Sequence, residues 1–250
     1  MSRPLHAPVR PLVVLHSGQS RWFPSLLTAA TQHDLPLFVY AAQPGSDLGA
    51  AFQALRPLGF AGVVIEDPGL QAVALDGVVS LEAEAQQARR VDAVVPENLG
   101  PRGYYLEPVA LAMLLRRHAF GERAVWVGPA RAEMAQGLRY LSKVSVLSRN
   151  FPEGEGFLSL IPGPQRGVVG VAEVQSEVVA RQADLVIYSG GTLPMNLLQP
   201  FHTLLALKPA PSEALRLIGE YIGPEEFQRF HLAALLEALG FPLPPESFTV

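Results

Sequence analysis

The sequence predicts an α/β protein of two lobes, an N-terminal α/β lobe followed by a Rossmann-like lobe with a parallel sheet. Short apolar runs alternate with segments of helical spacing, and this alternation predicts βαβ units and mainly parallel strand pairing. Apolar residues make up 49% of the 250 residues and charged residues only 17%, which is enough for a substantial core. The alternation breaks off and resumes around residues 105–108, where we place the lobe boundary.

Composition and charge exclude several classes of protein. A formal charge of −4 and a pI near 5.9 exclude a generic basic nucleic-acid binder. The chain contains no Cys, so disulfide scaffolds, thiolate zinc sites and cysteine nucleophiles are excluded. The His residues show no metal-ligand spacing, so we predict no metal site. No apolar run approaches the ~20 residues that span a bilayer, and no signal peptide is recognisable. We therefore expect a cytoplasmic protein without a membrane partner.

The elements of the first half follow from apolar runs and helix caps. The predicted strands, of which the last two form an antiparallel hairpin, are Leu12–Leu15, Leu35–Ala41, Gly62–Ile65, Val91–Val95 and Arg102–Leu106. The predicted helices cover Pro24–Thr31, the segment from a Ser46 cap to Leu55, and the segment from a Ser80 cap to Arg89.

The second half repeats the alternation after a helix over Pro108–His118. Its predicted strands are Ala124–Val127, Val144–Leu147, Leu185–Tyr188 and Thr203–Leu207. Its predicted helices are Ala130–Leu141, Val174–Gln182, Ser212–Tyr221 and Pro224–Leu239. The stretch Phe151–Gly170 is rich in Pro and Gly, so we predict loop there, with one weak strand near Phe157–Ile161.

Two turns of the second half are candidates for binding a dinucleotide. A glycine-rich turn between a strand and a helix offers backbone N–H groups to a pyrophosphate, and Gly128 keeps one glycine of that pattern. Pro129 removes one of the donors, so an ordinary strand–helix turn is the other interpretation. Some 20 residues further on, Arg149 stands where an Arg accommodates the 2′-phosphate of NADP. A solvated Arg at a strand end is the alternative.

Polar residues also follow two strands of the first half. Ser17, Ser20 and Arg21 come after the first strand, where they could hold a small carboxylate. Ser20 could equally be the N-cap of the next helix. Glu66 and Asp67 end the third strand and, with Glu107, could form a carboxylate cluster for acid–base chemistry. Exposed loop acids are the alternative.

Together these segments resemble the shikimate dehydrogenase family along nearly the whole chain. The loop His16–Ser20 resembles the family's H-S-x-S-P, and Leu58–Pro68 resembles L-G-x-x-G-x-N-V-T-x-P. Gly128 opens the segment that corresponds to G-A-G-G-A. Ser148–Asn150 is similar to N-R-T, and Gly191–Met195 is similar to T-P-L-G-M.

The resemblance implies roles for individual residues. Glu107 occupies the position of the family's catalytic Asp and would act as a base. Leu70 occupies the position of its catalytic Lys and can carry no proton. The residues that the resemblance places around the substrate are Ser17, Ser20, Arg21, Glu66, Asp92 and Gln228. Those that it places around the cofactor are Gly128, Ala130, Arg131, Ser148, Arg149 and Gly191.

The resemblance also implies a domain organisation and two alternative functions. Residues 1–106 would form a substrate-binding lobe, rejoined by a C-terminal helix at 222–250, and residues 107–221 an NADP-binding type of lobe. One function is an NADP-dependent oxidoreductase of shikimate-type substrates, with ordinary shikimate oxidation impaired by Leu70. The other is a non-catalytic relative that binds a small ligand or a protein partner in the cleft between the lobes. A homodimer is the assembly that we consider.

Overall fold

The computed structural model describes residues 8–118, 123–171 and 173–250. For residues 173–176 it describes the backbone alone. The chain divides into two compact units. Unit 1 comprises the residues up to Leu106 together with His231–Val250, and unit 2 comprises Glu107–Phe230. The sequence placed the return of the chain to the first lobe at residue 222, whereas the structure places it at His231. Within the described residues, no helix is both long enough and apolar enough to cross a membrane.

Unit 1 is built on a mixed six-stranded sheet in the order β2-β1-β3-β5-β6-β4. Strand β1 pairs in parallel with β2 and β3, whereas β5 pairs antiparallel with β3 and β6. The strands are β1 Arg10–Leu15, β2 Leu37–Ala42, β3 Gly62–Ile65, β4 Ser80–Leu81, β5 Ala93–Glu97 and β6 Gly100–Tyr104. The helices are α1 Trp22–Gln32, α2 Leu48–Ala54, α3 Pro68–Val73 and α4 Ala83–Ala88.

Unit 2 is built on a sheet of six parallel strands in the order β9-β8-β7-β10-β11-β12. The strands are β7 Arg123–Val127, β8 Lys143–Leu147, β9 Arg166–Gly170, β10 Leu185–Tyr188, β11 Thr203–Ala206 and β12 Glu220–Ile222. The helices are α5 Glu107–Arg117, α6 Phe151–Ser159, α7 Glu173–Arg181 and α8 Pro224–Ala238, the last of which continues into unit 1. Counted from β7, the order is 3-2-1-4-5-6, that of dinucleotide-binding sheets. The predicted α/β class with a Rossmann-like second half is confirmed.

Two predicted helix caps are wrong. Asp47, not Ser46, caps α2, because its Oδ1 accepts a hydrogen bond from the backbone N of Ala50 at 2.8 Å. Ser80 lies in the short strand β4, where it pairs with Arg102, so α4 begins later, at Ala83.

Three segments of unit 2 differ from the predicted elements. Phe151–Ser159 is a helix, because Asn150 and Glu153 form a capping pair at its start and Gly154 permits close packing on β9. The segment Ala132–Leu138 is a 3₁₀ helix rather than an α-helix, and it packs tightly on α5 through Gly137. The predicted helix over Ser212–Tyr221 is instead a single 3₁₀ turn followed by β12.

Candidate functional site

A cavity of about 370 Å³ opens at the carboxyl ends of the central strands of unit 2. Strands β7 and β10 are neighbours here, and the chain continues to opposite edges of the sheet from them. This reversal is the topological switch point, where open α/β sheets bind their ligands. The cavity is lined by Val127, Gly128, Pro129, Leu147, Ser148, Arg149, Glu153, Gly170, Val171, Gly190, Gly191, Thr192 and Pro194.

Glycines allow the turns after β7 and β10 to touch at the floor of this cavity. A Cβ atom on Gly128 would lie 2.2 Å from the carbonyl oxygen of Gly190. Gly128 has a φ of +106°, and Gly190 and Gly191 have φ values of +123° and +80°. Side chains at these positions would be strained, so backbone alone forms this part of the wall.

The backbone carbonyl group of Pro129 anchors the turn after β7 through two hydrogen bonds. The carbonyl oxygen of Pro129 accepts hydrogen bonds from the indole Nε1 of Trp126 at 3.0 Å and from the hydroxyl of Ser189 at 3.0 Å. No α-helix follows this turn, since the 3₁₀ helix begins at Ala132. The turn therefore lacks the α-helix N-terminus whose backbone N–H groups bind the pyrophosphate in dinucleotide-binding proteins. Ala130, a predicted cofactor residue, lies outside the cavity wall.

Arg131 lies between two carboxylates. Its guanidinium pairs with Glu107 and, at 3.1 Å, with Oε1 of Glu133, and all three side chains are at most 22% exposed. Arg131 was predicted to contact the cofactor and Glu107 to act as a base. The structure brings the two side chains together as an ion pair, and Arg131 is not part of the cavity wall. Glu133 stands at the third glycine position of the dinucleotide-binding pattern that opens at Gly128, but nothing in the sequence indicated its pairing with Arg131.

The turn after β8 presents a cation to the cavity. Arg149 is exposed, and no ion pair to it occurs among the described residues. Ser148 donates a hydrogen bond from its hydroxyl to the carbonyl oxygen of Asn150 at 2.6 Å, which fixes the turn. Glu153 also lines the cavity, since the capping pair with Asn150 holds it at the start of α6. The sequence contained this capping signal, but the glycines that follow it favoured a loop.

The loop after β1 in unit 1 converges on the carboxylate of Glu66. The Ser20 hydroxyl donates to Oε2 of Glu66 at 2.7 Å, and the backbone N of Arg21 donates to its Oε1 at 3.0 Å. The backbone N of Trp22 lies 3.3 Å from Oε2, and the Arg21 Nε lies 3.5 Å from Oε1. The Glu66 side chain is only 8% exposed. The residues predicted to hold a substrate carboxylate thus hold one that belongs to the protein.

Ser17 is engaged in the same way by the neighbouring acid. Its hydroxyl donates to Oδ2 of Asp67 at 2.9 Å, and its backbone N donates to the same oxygen. Ser20 also accepts a hydrogen bond from the backbone N of Phe23 at 2.9 Å, so the alternative N-cap role is present as well.

Asp92, predicted to contact substrate, is completely buried in unit 1. Its Oδ2 lies 2.7 Å from Nε2 of His231 and accepts a hydrogen bond from the backbone N of Leu106 at 2.9 Å. His231, which is 4% exposed, packs its ring edge to face with Trp22 at 5.0 Å. Asp92 therefore has no surface to offer a ligand and instead fixes His231. A lone His on a helix gave no signal of this pair in the sequence.

The remaining predicted residues lie apart from these clusters. Leu70 lies on α3 and packs against the core of unit 1, so its side chain has an apolar role. Gln228 is half-buried on α8 within unit 2. Within the described parts of the chain, no group of three His, Asp or Glu residues is arranged to hold a metal ion.

Comparison with known proteins identifies the architecture. No family model and no curated protein matches the sequence. Among solved structures, the shikimate 5-dehydrogenase from Listeria monocytogenes, in complex with shikimate and NAD, is 12% identical with a TM-score of 0.73, covering 98% of this chain and 97% of that one. The chain has the shikimate dehydrogenase fold.

Two further structures show what this fold accommodates. The shikimate 5-dehydrogenase from Thermus thermophilus, in complex with NADP(H) and shikimate, is 18% identical with a TM-score of 0.70, and 96% of each chain is covered. The 5-ketofructose reductase of Gluconobacter is 14% identical with a TM-score of 0.75, covering 97% of this chain and 96% of that one. The shikimate dehydrogenase fold therefore carries more than one substrate specificity, and the likeness fixes the architecture rather than the substrate.

Proposed function

We propose that the protein is an NADP-dependent oxidoreductase. The observation that carries the proposal is the cavity of about 370 Å³ at the switch point of a 3-2-1-4-5-6 parallel sheet, with Arg149 in its wall. Its volume falls within the roughly 300–1,000 Å³ of small-molecule and cofactor pockets. Two of the similar proteins were solved with nicotinamide dinucleotides, one with NAD and one with NADP(H).

The residues of the cavity fit one end of a dinucleotide better than its middle. Gly128, Gly190 and Gly191 leave the backbone bare, which permits close approach of phosphate groups. Pro129 supplies no N–H, and no α-helix starts behind it, so the pyrophosphate receives fewer donors than usual. We therefore propose that affinity depends mainly on the adenosine end, where Arg149 would pair with the 2′-phosphate of NADP. A bound nicotinamide would exchange a hydride with a substrate carbon.

The proton that accompanies the hydride needs a carrier other than the Lys that the family resemblance implies. Leu70 stands at that position and packs against the core of unit 1, where it can transfer no proton. Glu107 is the carboxylate at the corresponding Asp position, and its ion pair with Arg131 fixes its orientation. We propose that Glu107 or water accepts the proton, and that ordinary shikimate oxidation is correspondingly slow.

A titration with NADPH and NADH tests the proposal. Saturable micromolar binding of NADPH with much weaker binding of NADH is the expected result. Arg149→Ala should abolish that preference, since one charge-assisted phosphate contact contributes about 1.5–3 kcal/mol, roughly ten- to a hundredfold in affinity. Arg216→Ala is the matched control, because Arg216 is exposed in the same unit but lies outside the cavity wall. The absence of binding at millimolar NADPH would refute the proposal.

The alternative is a non-catalytic protein that binds a small ligand or a protein partner, and one observation favours it. The position of the family's catalytic Lys holds Leu70, which packs against the core of unit 1 and carries no proton, and the carboxylate of Glu107 is already paired with Arg131. NADPH binding without turnover of any alcohol or carbonyl compound would support this alternative. Turnover that falls in Glu107→Gln would exclude it. The cytoplasmic location and the homodimer remain predictions from the sequence.

A further inference from the structure

The strongest unassigned feature outside the cavity is the set of donors around Glu66. Four donors from three consecutive residues point at one carboxylate: the Ser20 hydroxyl, the backbone N–H groups of Arg21 and Trp22, and the Arg21 guanidinium. Charge-assisted hydrogen bonds of this kind form a carboxylate-binding site. The structure shows the site with its occupant, which comes from the end of β3, more than 40 residues away in sequence.

Glu66 caps part of the helix behind these donors. α1 is 11 residues long, has no acidic residue in its first turn, and receives no hydrogen bond from the side chain at its N-cap position, Arg21. The backbone N–H groups of Arg21 and Trp22 donate instead to the remote carboxylate of Glu66, which also complements the partial positive charge of the helix start, and that of Phe23 donates to the Ser20 hydroxyl. The Glu66 side chain is only 8% exposed, so it fills the buried part of the site. The Arg21 side chain is 83% exposed and lies at the surface of the site.

A second carboxylate adjoins the first. Asp67 accepts two hydrogen bonds from Ser17 and remains half-buried. A ligand that approaches this loop therefore meets two carboxylates whose nearest donors are already in use. The exposed guanidinium of Arg21 offsets one of the two negative charges, so a ligand carboxylate would still meet a net negative charge, whereas ligand hydroxyl groups would find acceptors.

We propose that Glu66 is a specificity-determining residue that takes the place of a substrate carboxylate, so that the substrate is an uncharged hydroxylated alcohol or carbonyl compound. The proposal rests on the proposed oxidoreductase function for its substrate. The claim that Glu66 occupies an anion-binding site does not rest on that function and can be tested separately.

The first test removes the internal carboxylate and offers an external one. Glu66→Ala opens the space and leaves the donors in place, so acetate should bind there. At about ten times its dissociation constant, acetate should raise the melting temperature of this variant by roughly 3–6 °C. Glu66→Gln, which fills the space, should respond no more than the wild type. Asp47→Ala, which removes a helix-capping carboxylate elsewhere in unit 1, is the matched control. An equal response of Glu66→Ala and Asp47→Ala to acetate would overturn the proposal.

The second test uses the unaltered protein, so it holds even if Glu66→Ala does not fold. With NADP⁺, kcat/KM for the oxidation of shikimate and quinate should be at least about tenfold lower than for the oxidation of an uncharged polyhydroxy compound such as fructose. Equal or better turnover of the carboxylates would overturn the proposal. If NADPH does not bind at all, the oxidoreductase function fails, and the acetate experiment alone decides the role of Glu66.

Discussion

The buried pair of Asp92 and His231 gives a quantitative prediction for the stability of unit 1. Asp92 is fully buried, and its Oδ2 is shared by the imidazole of His231 and the backbone N–H of Leu106. Asp92→Ala leaves both groups without this acceptor. Each buried donor left unsatisfied costs about 1–3 kcal/mol, so the loss of this acceptor for both groups should lower the free energy of unfolding by roughly 2–6 kcal/mol. Asp92→Asn keeps the volume and one acceptor oxygen, so we expect a smaller loss, about 1–3 kcal/mol.

The two Trp residues of the chain allow each unit to be followed separately. Trp22 belongs to unit 1 and contacts His231, whereas Trp126 belongs to unit 2. In a Trp126→Phe background, urea unfolding followed by fluorescence therefore reports unit 1. A double-mutant cycle between Asp92→Asn and His231→Ala should give a coupling energy of about 1–3 kcal/mol. The slope of the transition should be unchanged, because the surface exposed on unfolding is the same.

The matched control for this measurement is Asp76→Asn. Asp76 is exposed in the same unit, and replacing it should change the free energy of unfolding by no more than about 0.5 kcal/mol. If Asp92→Asn lies within that range of the control, the buried pair does not stabilise unit 1, and the reasoning is refuted. A coupling energy near zero would refute it as well.

Three further predictions concern unit 2. Gly128→Ala should lower its free energy of unfolding by about 2–4 kcal/mol, measured by Trp fluorescence in a Trp22→Phe background, because the new Cβ would lie 2.2 Å from a backbone oxygen at a strained φ. Burial lowers the pKa of His202 below its usual 6.5. The unfolded chain then takes up a proton first, so stability should fall as the pH drops below about 6.5, and His202→Gln should flatten that dependence in pH-dependent urea unfolding. Glu153→Gln should tighten NADPH binding about two- to fivefold by removing a negative charge from the cavity wall, and an unchanged dissociation constant would contradict this.

The fold could be predicted where the local pattern agrees with the tertiary structure. Gly62–Ile65 and Leu185–Tyr188 are short apolar runs that end in polar turns, and both are strands with the predicted bounds. The prediction was wrong where a glycine has a packing role. Gly154 lies inside α6 because the helix approaches Val169 closely, and a single sequence gives no sign of that contact. Three-residue β12 is too short to show any alternation.

For the loop after β1, the sequence predicted which residues belong to the site but not which of them bind one another. The sequence singled out Ser20, Arg21 and Glu66, and the structure brings these together. Their relationship was not predictable, because nothing in the spacing distinguishes a carboxylate that binds substrate from one that occupies the donors itself. His231 was missed for a similar reason, since its partner Asp92 is 139 residues away in sequence.

The return of the chain into unit 1 has a consequence for how the protein is made. Unit 2 is one continuous stretch, whereas unit 1 needs Leu239 against Gly62 and the buried ring of Phe248 to close its core. During synthesis the core formed by the first hundred or so residues therefore cannot close until unit 2 and the residues after it have been translated. Until then, part of its apolar surface stays exposed. Domains generally fold as units while the chain emerges, so unit 2 should complete first although it is second in sequence. A ribosome stalled after Phe230 and a flexible linker long enough to fill the exit tunnel should carry a protease-resistant unit 2 and a protease-sensitive N-terminal segment.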